Sequence, residues 1–439
     1  MKRRIYLTAA SAAVTTAIAG CAGGNPEEDG DTVDEDDGDS DDAHSDDDQI
    51  DDDHETDDED EEEDEEDDEP SDLLGTFDDF EDLDAWEARL GSLEADDEFA
   101  YEGSQSALLT TTESEEQVRI VRELSEPIDV QGVVPGLALS CDSAASPIIQ
   151  LHDEDGDILQ FQQHVTRGQP FMRRNFGHTS VSGDPDPSAI TEIQIVSLVD
   201  DETEEELWVD DLHFVPRVED GRVMIQFQRG FETDYTMGYP ILEEYDLPGA
   251  TFVPTARIRE SAETDGDHLT EGQLSELVDA GWSVGTVGVR GQHLHEVDAD
   301  AAESHVLDPL EWFDERGYDD ARYFAFPGGR FDRRTYDLID EHYDLGFADR
   351  HRSQGWASNH LTITRISGHV DQRNLDAEEM IDAVDWTAAR GGITTIVFYE
   401  MDEDDAEALE ATAERIAEHR DAGDLEPISP RELADEYVY

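Results

Sequence analysis

The run Val223-Met224-Ile225-Gln226-Phe227 ends in the polar corner Gln228-Arg229-Gly230. A strand that feeds a glycine-closed polar turn is how a (β/α) barrel presents chemistry at the C-terminal mouth of its first strand. Arg229 puts a permanent cation there, with a planar fork of donors that suits a carboxylate or a sulfate. Gln228 beside it cannot accept a proton in the ordinary pH range. Glu232 and Asp234 follow directly, and Glu400 stands behind the late apolar run 394–399. With the closely spaced His293 and His295, these are the groups from which an acid–base or metal centre would be assembled. Each has a plainer alternative. Arg229 pairs internally with Glu232 or Asp234, and the two histidines are exposed loop residues.

Such side chains need a scaffold. A helical segment with Pro240, Ile241, Leu242 and Tyr245 separates the first strand from a second, 249–254. Strand, helix, strand at this spacing implies a right-handed parallel crossover. The alternation continues with a helix over 273–280, a strand over 282–287, a helix over 301–316, a strand over 323–327 and a helix over 333–342. A last strand spans 394–399. An amphipathic helix follows, with Ala406, Leu409, Ala413, Ile416 and Ala417 at helical spacing, and precedes 428–433.

The preceding segment, 73–217, reads as all-β. Phe77, Phe80 and Trp86 open it, and short alternating strands follow at 106–110, 118–121, 137–140, 148–151, 193–196 and 207–215. Asp155-Gly156 is a turn signal. Even spacing predicts a β-sandwich or jelly roll. Residues 218–221 are the expected linker to the barrel, 218–439.

Composition bounds the rest. The chain has 439 residues, with 116 acidic against 28 basic side chains and a net charge of −88. Lys2 is its lysine; every other basic side chain counted is arginine. Charge of this density strains a compact fold by self-repulsion. At ~1 M salt the screening length falls to ~3 Å and the repulsion fades. The chain resembles haloarchaeal proteins in this respect, and a saline milieu is expected. The rival reading is a polyanion that gathers cations or basic proteins. Nucleic acid is not an expected partner, because no basic patch stands out. Cys21 and Cys141 sit in different contexts, so a disulfide framework is not expected. Cys141 reads as a small core hydrophobe.

The N-terminus reads as an address. Arg3-Arg4-Ile5-Tyr6-Leu7 resembles a twin-arginine export signal, and the apolar stretch behind it is too short to span a bilayer. Ile18-Ala19-Gly20-Cys21 resembles a lipobox, so 1–21 is expected to be a lipoprotein signal with Cys21 taking the lipid. The plainer alternative is an ordinary signal peptide with a chance cysteine. Residues 22–72, almost wholly Asp, Glu, Gly, Ser and His in their greater part, are expected to be a disordered stalk extended by like charge. The expected location is the outer face of the cytoplasmic membrane, held by the lipid anchor.

Two family resemblances sharpen this. Gln226-Phe227-Gln228-Arg229-Gly230, Pro240-Ile241-Leu242-Glu243-Glu244-Tyr245 and Ala250-Thr251-Phe252-Val253-Pro254-Thr255 resemble the polysaccharide deacetylase family, the NodB-homology or carbohydrate esterase family 4 enzymes. The resemblance covers 218–439 and implies a deformed (β/α) barrel of the NodB type. It also implies a divalent metal, often zinc, on an Asp and two His, an Asp base, a C-terminal His acid, and hydrolysis of N-acetyl groups on polysaccharide. The family's base falls on Gln228 and its metal-binding Asp on Arg229. Its two His fall on Val287 and Gly291, and its terminal His falls near Tyr399 or Glu400. The arginine of its third motif is missing from Ala325-Phe326-Pro327-Gly328-Gly329. The second resemblance is to galactose-binding-like carbohydrate-binding modules. It rests on Phe80-Glu81-Asp82, Tyr101-Glu102-Gly103-Ser104 and Val209-Asp210-Asp211-Leu212. It implies a structural calcium with Glu81 and Asp211 as candidates, against the alternative of two solvated carboxylates. Phe161, Phe171 and Phe176 are the candidate sugar-stacking rings, against the alternative of core aromatics.

Three functions follow as expectations. The first is an inactive surface lipoprotein that binds envelope glycan through Arg229 and Gln228, with Glu232, Asp234 and Glu400 as further contacts. The second is a zinc-dependent deacetylase or amidase with a relocated site using Glu232, Asp234, Glu400 or His293 and His295. The third is an envelope scaffold for protein partners.

Overall fold

The computed structural model describes residues 71–111, 117–198, 205–318, 321–367 and 376–439. The expected lipidation site Cys21 and the acidic segment up to residue 70 lie outside the described residues. No helix among the described residues is long and apolar enough to cross a membrane.

The N-terminal part contains β1 (Gly75–Asp78), β2 (Glu87–Leu90), β3 (Ser92–Asp96), β4 (Ser106–Thr110), β5 (Gln117–Ile128) and β6 (Val133–Cys141). It continues with β7 (Ser146–Asp153), β8 (Ile158–Gln162), β9 (Met172–Arg174), β10 (Gly177–Ser182), β11 (Ile190–Leu198) and β12 (Glu206–Pro216). One sheet runs β3-β4-β12-β6-β9 with β1 on β12, and the other runs β10-β8-β7-β11-β5-β2. Alternate side chains of both sheets meet in one core, Leu109, Leu139, Val209 and Phe214 from the first with Ile120, Ile149, Ile193 and Ile195 from the second. Cys141 is buried and unpaired, and burial pushes its thiol up to about 12. Phe161 and Phe176 belong to this core and Phe171 is buried against Phe99 and Tyr101, which favours the alternative of core aromatics over sugar-stacking rings.

Asp211 and Glu81 also have other work. The β12–β6 register slips between Asp210 and His213, and Asp211 takes a left-handed φ of 44° in that bulge. Its carboxylate accepts from Arg173 Nε at 2.5 Å and from the Thr76 hydroxyl at 2.7 Å. Glu81 accepts from the backbone N–H and hydroxyl of Ser104, both at 2.5 Å. The expected calcium pair is therefore split between two separate hydrogen-bond networks.

The C-terminal part is a ring of seven parallel strands. These are β13 (Gly221–Gln228), β14 (Gly249–Val253), β15 (Ser283–Thr286), β16 (Tyr323–Ala325), β17 (Leu345–Arg350), β18 (Ile363–Ser367) and β19 (Ile393–Phe398). The ring closes because β13 pairs with both β14 and β19, and β20 (Leu425–Pro427) adds to the start of β13. The β period of two divides each strand. Val223, Ile225 and Phe227 of β13 pack outward with Leu409, Ala413 and Ile416 of helix α6 (Glu403–Ala422) in the numbering α1 (Tyr239–Glu244), α2 (Glu271–Asp279), α3 (Ala299–Asp314), α4 (Arg333–Asp340), α5 (Ala377–Arg390), α6 and α7 (Pro430–Glu436). Met224 joins Phe252, Phe347, Ile363 and Ile393 in the barrel interior, so Gln226 and Gln228 point inward as well. The α6 helix starts at a capping box on Asp402 and stops at left-handed Gly423.

Both parts belong to one compact unit. The expected linker is no free tether: Val218 is buried and its carbonyl accepts from Gly392 N–H at 2.8 Å. The joint is polar and dry. Arg174 of β9 donates to Asp349 of β17 at 2.9 Å, and the side chains are 0% and 1% exposed. Asn175 Nδ2 donates to the carbonyls of Asn359 and Thr362 at 2.8 and 3.1 Å.

Candidate functional site: the C-terminal mouth of the barrel

The mouth is built from the loops that leave the C-terminal ends of the parallel strands. Gln228, last residue of β13, is 2% exposed, and its Oε1 accepts from Arg365 Nη1 of β18 at 3.0 Å. Arg365 is buried at 8% exposure; burial pulls its pKa down, while Tyr399 and Asp349 oppose that pull. A guanidinium stays protonated under such a shift. Arg365 therefore places a second cation inside the mouth, which sequence reasoning missed. Its signal was an arginine set in the short run Ile363-Thr364-Arg365-Ile366.

Arg229 is exposed and holds a φ of 86°, with its N–H donating to the Phe252 carbonyl at 2.7 Å. The left-handed region costs a non-glycine residue roughly 1–2 kcal/mol. Gly230 continues the turn at φ 60°, where a Cβ would stand 2.9 Å from Val253. Gly291 closes the other side: a Cβ there would lie 3.3 Å from Val287 and 4.0 Å from Arg229 Nε. The structure thus brings Arg229, Val287 and Gly291 together.

It does not bring Glu232 and Asp234 to them. Glu232 is held by Arg259 at 2.8 Å and by Gln273 at 2.9 Å; the Gln273 bond above all keeps its carboxyl below the usual range. Asp234 opens a π-turn, Asp234–Gly238, and is fully buried against the Thr251 hydroxyl at 2.8 Å. Thr251 alternates with Ala250 and Phe252, which face the interior, so Asp234 lies outside the ring and not in the mouth. Burial raises its pKa well above the ordinary value. The internal pairing of Arg229 with Glu232 or Asp234 is accordingly not formed, nor do these two carboxylates serve as free contacts at the mouth. His293 and His295 stand with ring centroids 5.7 Å apart. His293 Nδ1 lies 2.9 Å from the Pro327 carbonyl, and His295 Nε2 lies 3.7 Å from Glu296. Tyr399 and the exposed Glu400 close the rim after β19.

Comparison with known proteins finds likenesses in the barrel. Residues 216–345 match the family model for polysaccharide deacetylase. The putative polysaccharide deacetylase YxkH of Bacillus subtilis (strain 168) is 24% identical over 125 residues, 28% of this chain and 43% of YxkH. The chain thus spans less than half the length of that curated relative. Among solved structures, the deacetylase PplD of Streptococcus pyogenes in complex with acetate is 23% identical, over 33% of this chain and 62% of PplD, at a TM-score of 0.30. The family 4 carbohydrate esterase of Streptomyces lividans in complex with acetate is 15% identical, over 48% of this chain and 94% of the esterase, at 0.35. The peptidoglycan deacetylase PdaC of Bacillus subtilis is 13% identical, over 49% and 91%, at 0.37.

The deacetylase-like barrel can be tested for the zinc its family resemblance implies. A catalytic zinc needs three protein donors with lone pairs and an open position. The corresponding positions here carry an amide already bonded to Arg365, a guanidinium, an aliphatic side chain and a glycine. Arg229 occupies one of these positions and Arg365 bonds the Gln228 amide at another, so two cations stand where lone-pair donors would be needed. These residues do not fit the metal. Among the described residues no group of three or more His, Cys, Asp or Glu stands at ligand spacing elsewhere.

Proposed function

We propose that this chain is an exported, lipid-anchored surface protein whose deacetylase-like barrel binds polysaccharide of the cell envelope without hydrolysing it. The observation that carries the reading is Arg229: strained, exposed, and without a carboxylate partner among the described residues. Backbone strain persists where surrounding structure enforces it, and it collects at ligand sites. A guanidinium fork at the mouth offers two parallel N–H bonds to a carboxylate or sulfate, where a metal-dependent hydrolase would need a lone pair. Binding replaces catalysis because neither a base nor a Lewis acid remains at these positions. The anchor rests on the residues up to Cys21.

The test is affinity electrophoresis through gels holding polygalacturonate, in molar salt. Arg229→Ala should lose roughly tenfold in affinity, the value of one charge-assisted contact, with no change in thermal midpoint. Unchanged retardation would end the proposal. A second reading, hydrolysis from a relocated centre, is favoured by one observation. The Pro327 carbonyl orients His293 next to His295. It predicts that His293→Ala abolishes acetate release from acetylated chitooligosaccharide.

A further inference from the structure

Resting on the glycan-binding reading, we infer that the barrel mouth takes a repeating acidic polysaccharide, read at several carboxylates or sulfates at once by a ring of unpartnered arginines. Arg167, Arg229, Arg257, Arg290, Arg330 and Arg350 are exposed. Among the described residues their side chains make no hydrogen bond, ion pair or ring contact. The remaining described arginines are engaged. Arg259 holds Glu232, Arg316 holds Glu271, Arg415 holds Asp385, and Arg352 and Arg390 lie over Trp386.

The positions of the unengaged set are ordered. Arg229 follows β13, Arg257 follows β14, Arg290 follows β15, Arg330 follows β16 and Arg350 ends β17. In a parallel barrel the C-terminal ends of consecutive strands open on one face, so these cations line one arc of the mouth. Arg365 lies inside it. Arg167 comes from the sandwich, on a loop whose Gln169 amide donates to the Gly329 carbonyl beside Arg330.

Chance does not readily produce this arc. With 116 acidic against 28 basic residues, arginine has far more carboxylates than it could pair with. Several carboxylates close to them in sequence are engaged by other groups. Glu232 is on Arg259, Asp267 is 2.5 Å from His268 Nδ1, Asp332 caps α4, and Glu296 is beside His295. Glu400, like Glu260, Glu263 and Asp265 on the loop after β14, is exposed. Screening at ~3 Å in molar salt abolishes long-range attraction and repulsion alike. Only direct guanidinium–anion contacts then count, and several along one chain multiply. A repeating polyanion is the ligand that collects them, whereas a neutral glycan would leave the whole set unused.

The experiment uses the folded, exported protein in molar KCl against polygalacturonate, dextran sulfate, neutral dextran and oligo-deoxythymidylate. The triple variant Arg257→Ala, Arg290→Ala, Arg330→Ala leaves Arg229 in place, and since these side chains make no hydrogen bond, ion pair or ring contact among the described residues its thermal midpoint should match the parent. The expected result is binding to an acidic polysaccharide, none to dextran, and at least a tenfold loss in the triple variant. The corresponding triple lysine variant should recover part of that loss. Equal binding of dextran and acidic glycan, or a triple variant with parental affinity, overturns this inference while leaving glycan binding through Arg229 intact. Absence of binding to every polysaccharide overturns both. Preference for the oligonucleotide, lost in the triple variant, assigns the arc to nucleic acid and overturns it as well.

Discussion

Alanine at Asp349 should lower the stability of the two-part unit by about 3–5 kcal/mol, the cost of breaking a buried ion pair from one side. Arg174 is fully buried and makes Asp349 its charge partner, with a further bond to Gln169 at 3.0 Å and the Phe331 ring 5.6 Å from its guanidinium. Removing the carboxylate strands that cation in the joint between sandwich and barrel, where water does not reach. The pair itself need not be strongly stabilising, since two charges gave up hydration to form it. The double change Arg174→Met with Asp349→Leu should therefore recover most of the loss. Chemical denaturation of the three proteins in molar salt checks this. A loss under about 1 kcal/mol for the single variant would show that the joint is wet.

Asparagine at Asp234 should stabilise the protein at neutral pH, because burial penalises the ionised carboxylate and an amide carries no charge, and the gain should depend on pH. Asp234 is sealed under the π-turn with one oxygen on Thr251 and the other without a partner. Burial raises its folded pKa. An acid whose folded pKa is raised contributes stability that is complete below its unfolded pKa, near 3.9. That contribution is lost as the pH climbs through the folded value, because the unfolded chain gives up the proton first. Asparagine cannot ionise, so the gap between variant and parent should be small near pH 4 and widen toward pH 8. Parallel stability curves across that range would show that Asp234 is solvated or paired.

These residues also show what a sequence yields and what it withholds. Strands β13, β14, β15, β16 and β19 were legible because both faces of a parallel strand are buried and the runs are continuously apolar. Strands β17 and β18 were not, because Asp349, Arg350 and Arg365 interrupt the pattern, and at least two of them do so for a reason: Asp349 anchors the sandwich and Arg365 holds Gln228. Helix α5 escaped too, although Asp376 caps it and Met380, Ala383, Val384 and Thr387 form its buried stripe. In so acidic a chain its outer Asp and Glu look like those of any loop. The grouping of Arg229 with Val287 and Gly291 was legible only through the family resemblance, which assigns the three positions to one centre. The engagement of Glu232 by Arg259 was not, since pairing depends on how a loop folds back. Nor was the burial of Asp234, since a carboxylate is usually exposed.

The central claim is that Gln228, Arg229, Val287 and Gly291 leave the mouth unable to hold a catalytic dication. Calorimetric titration of the metal-stripped protein with zinc in molar salt, with acetate release from acetylated chitooligosaccharide followed on the same samples, tests it directly. No stoichiometric uptake and no acetate above the protein-free rate are expected. One zinc bound per chain, with acetate released in proportion to it, would contradict the account.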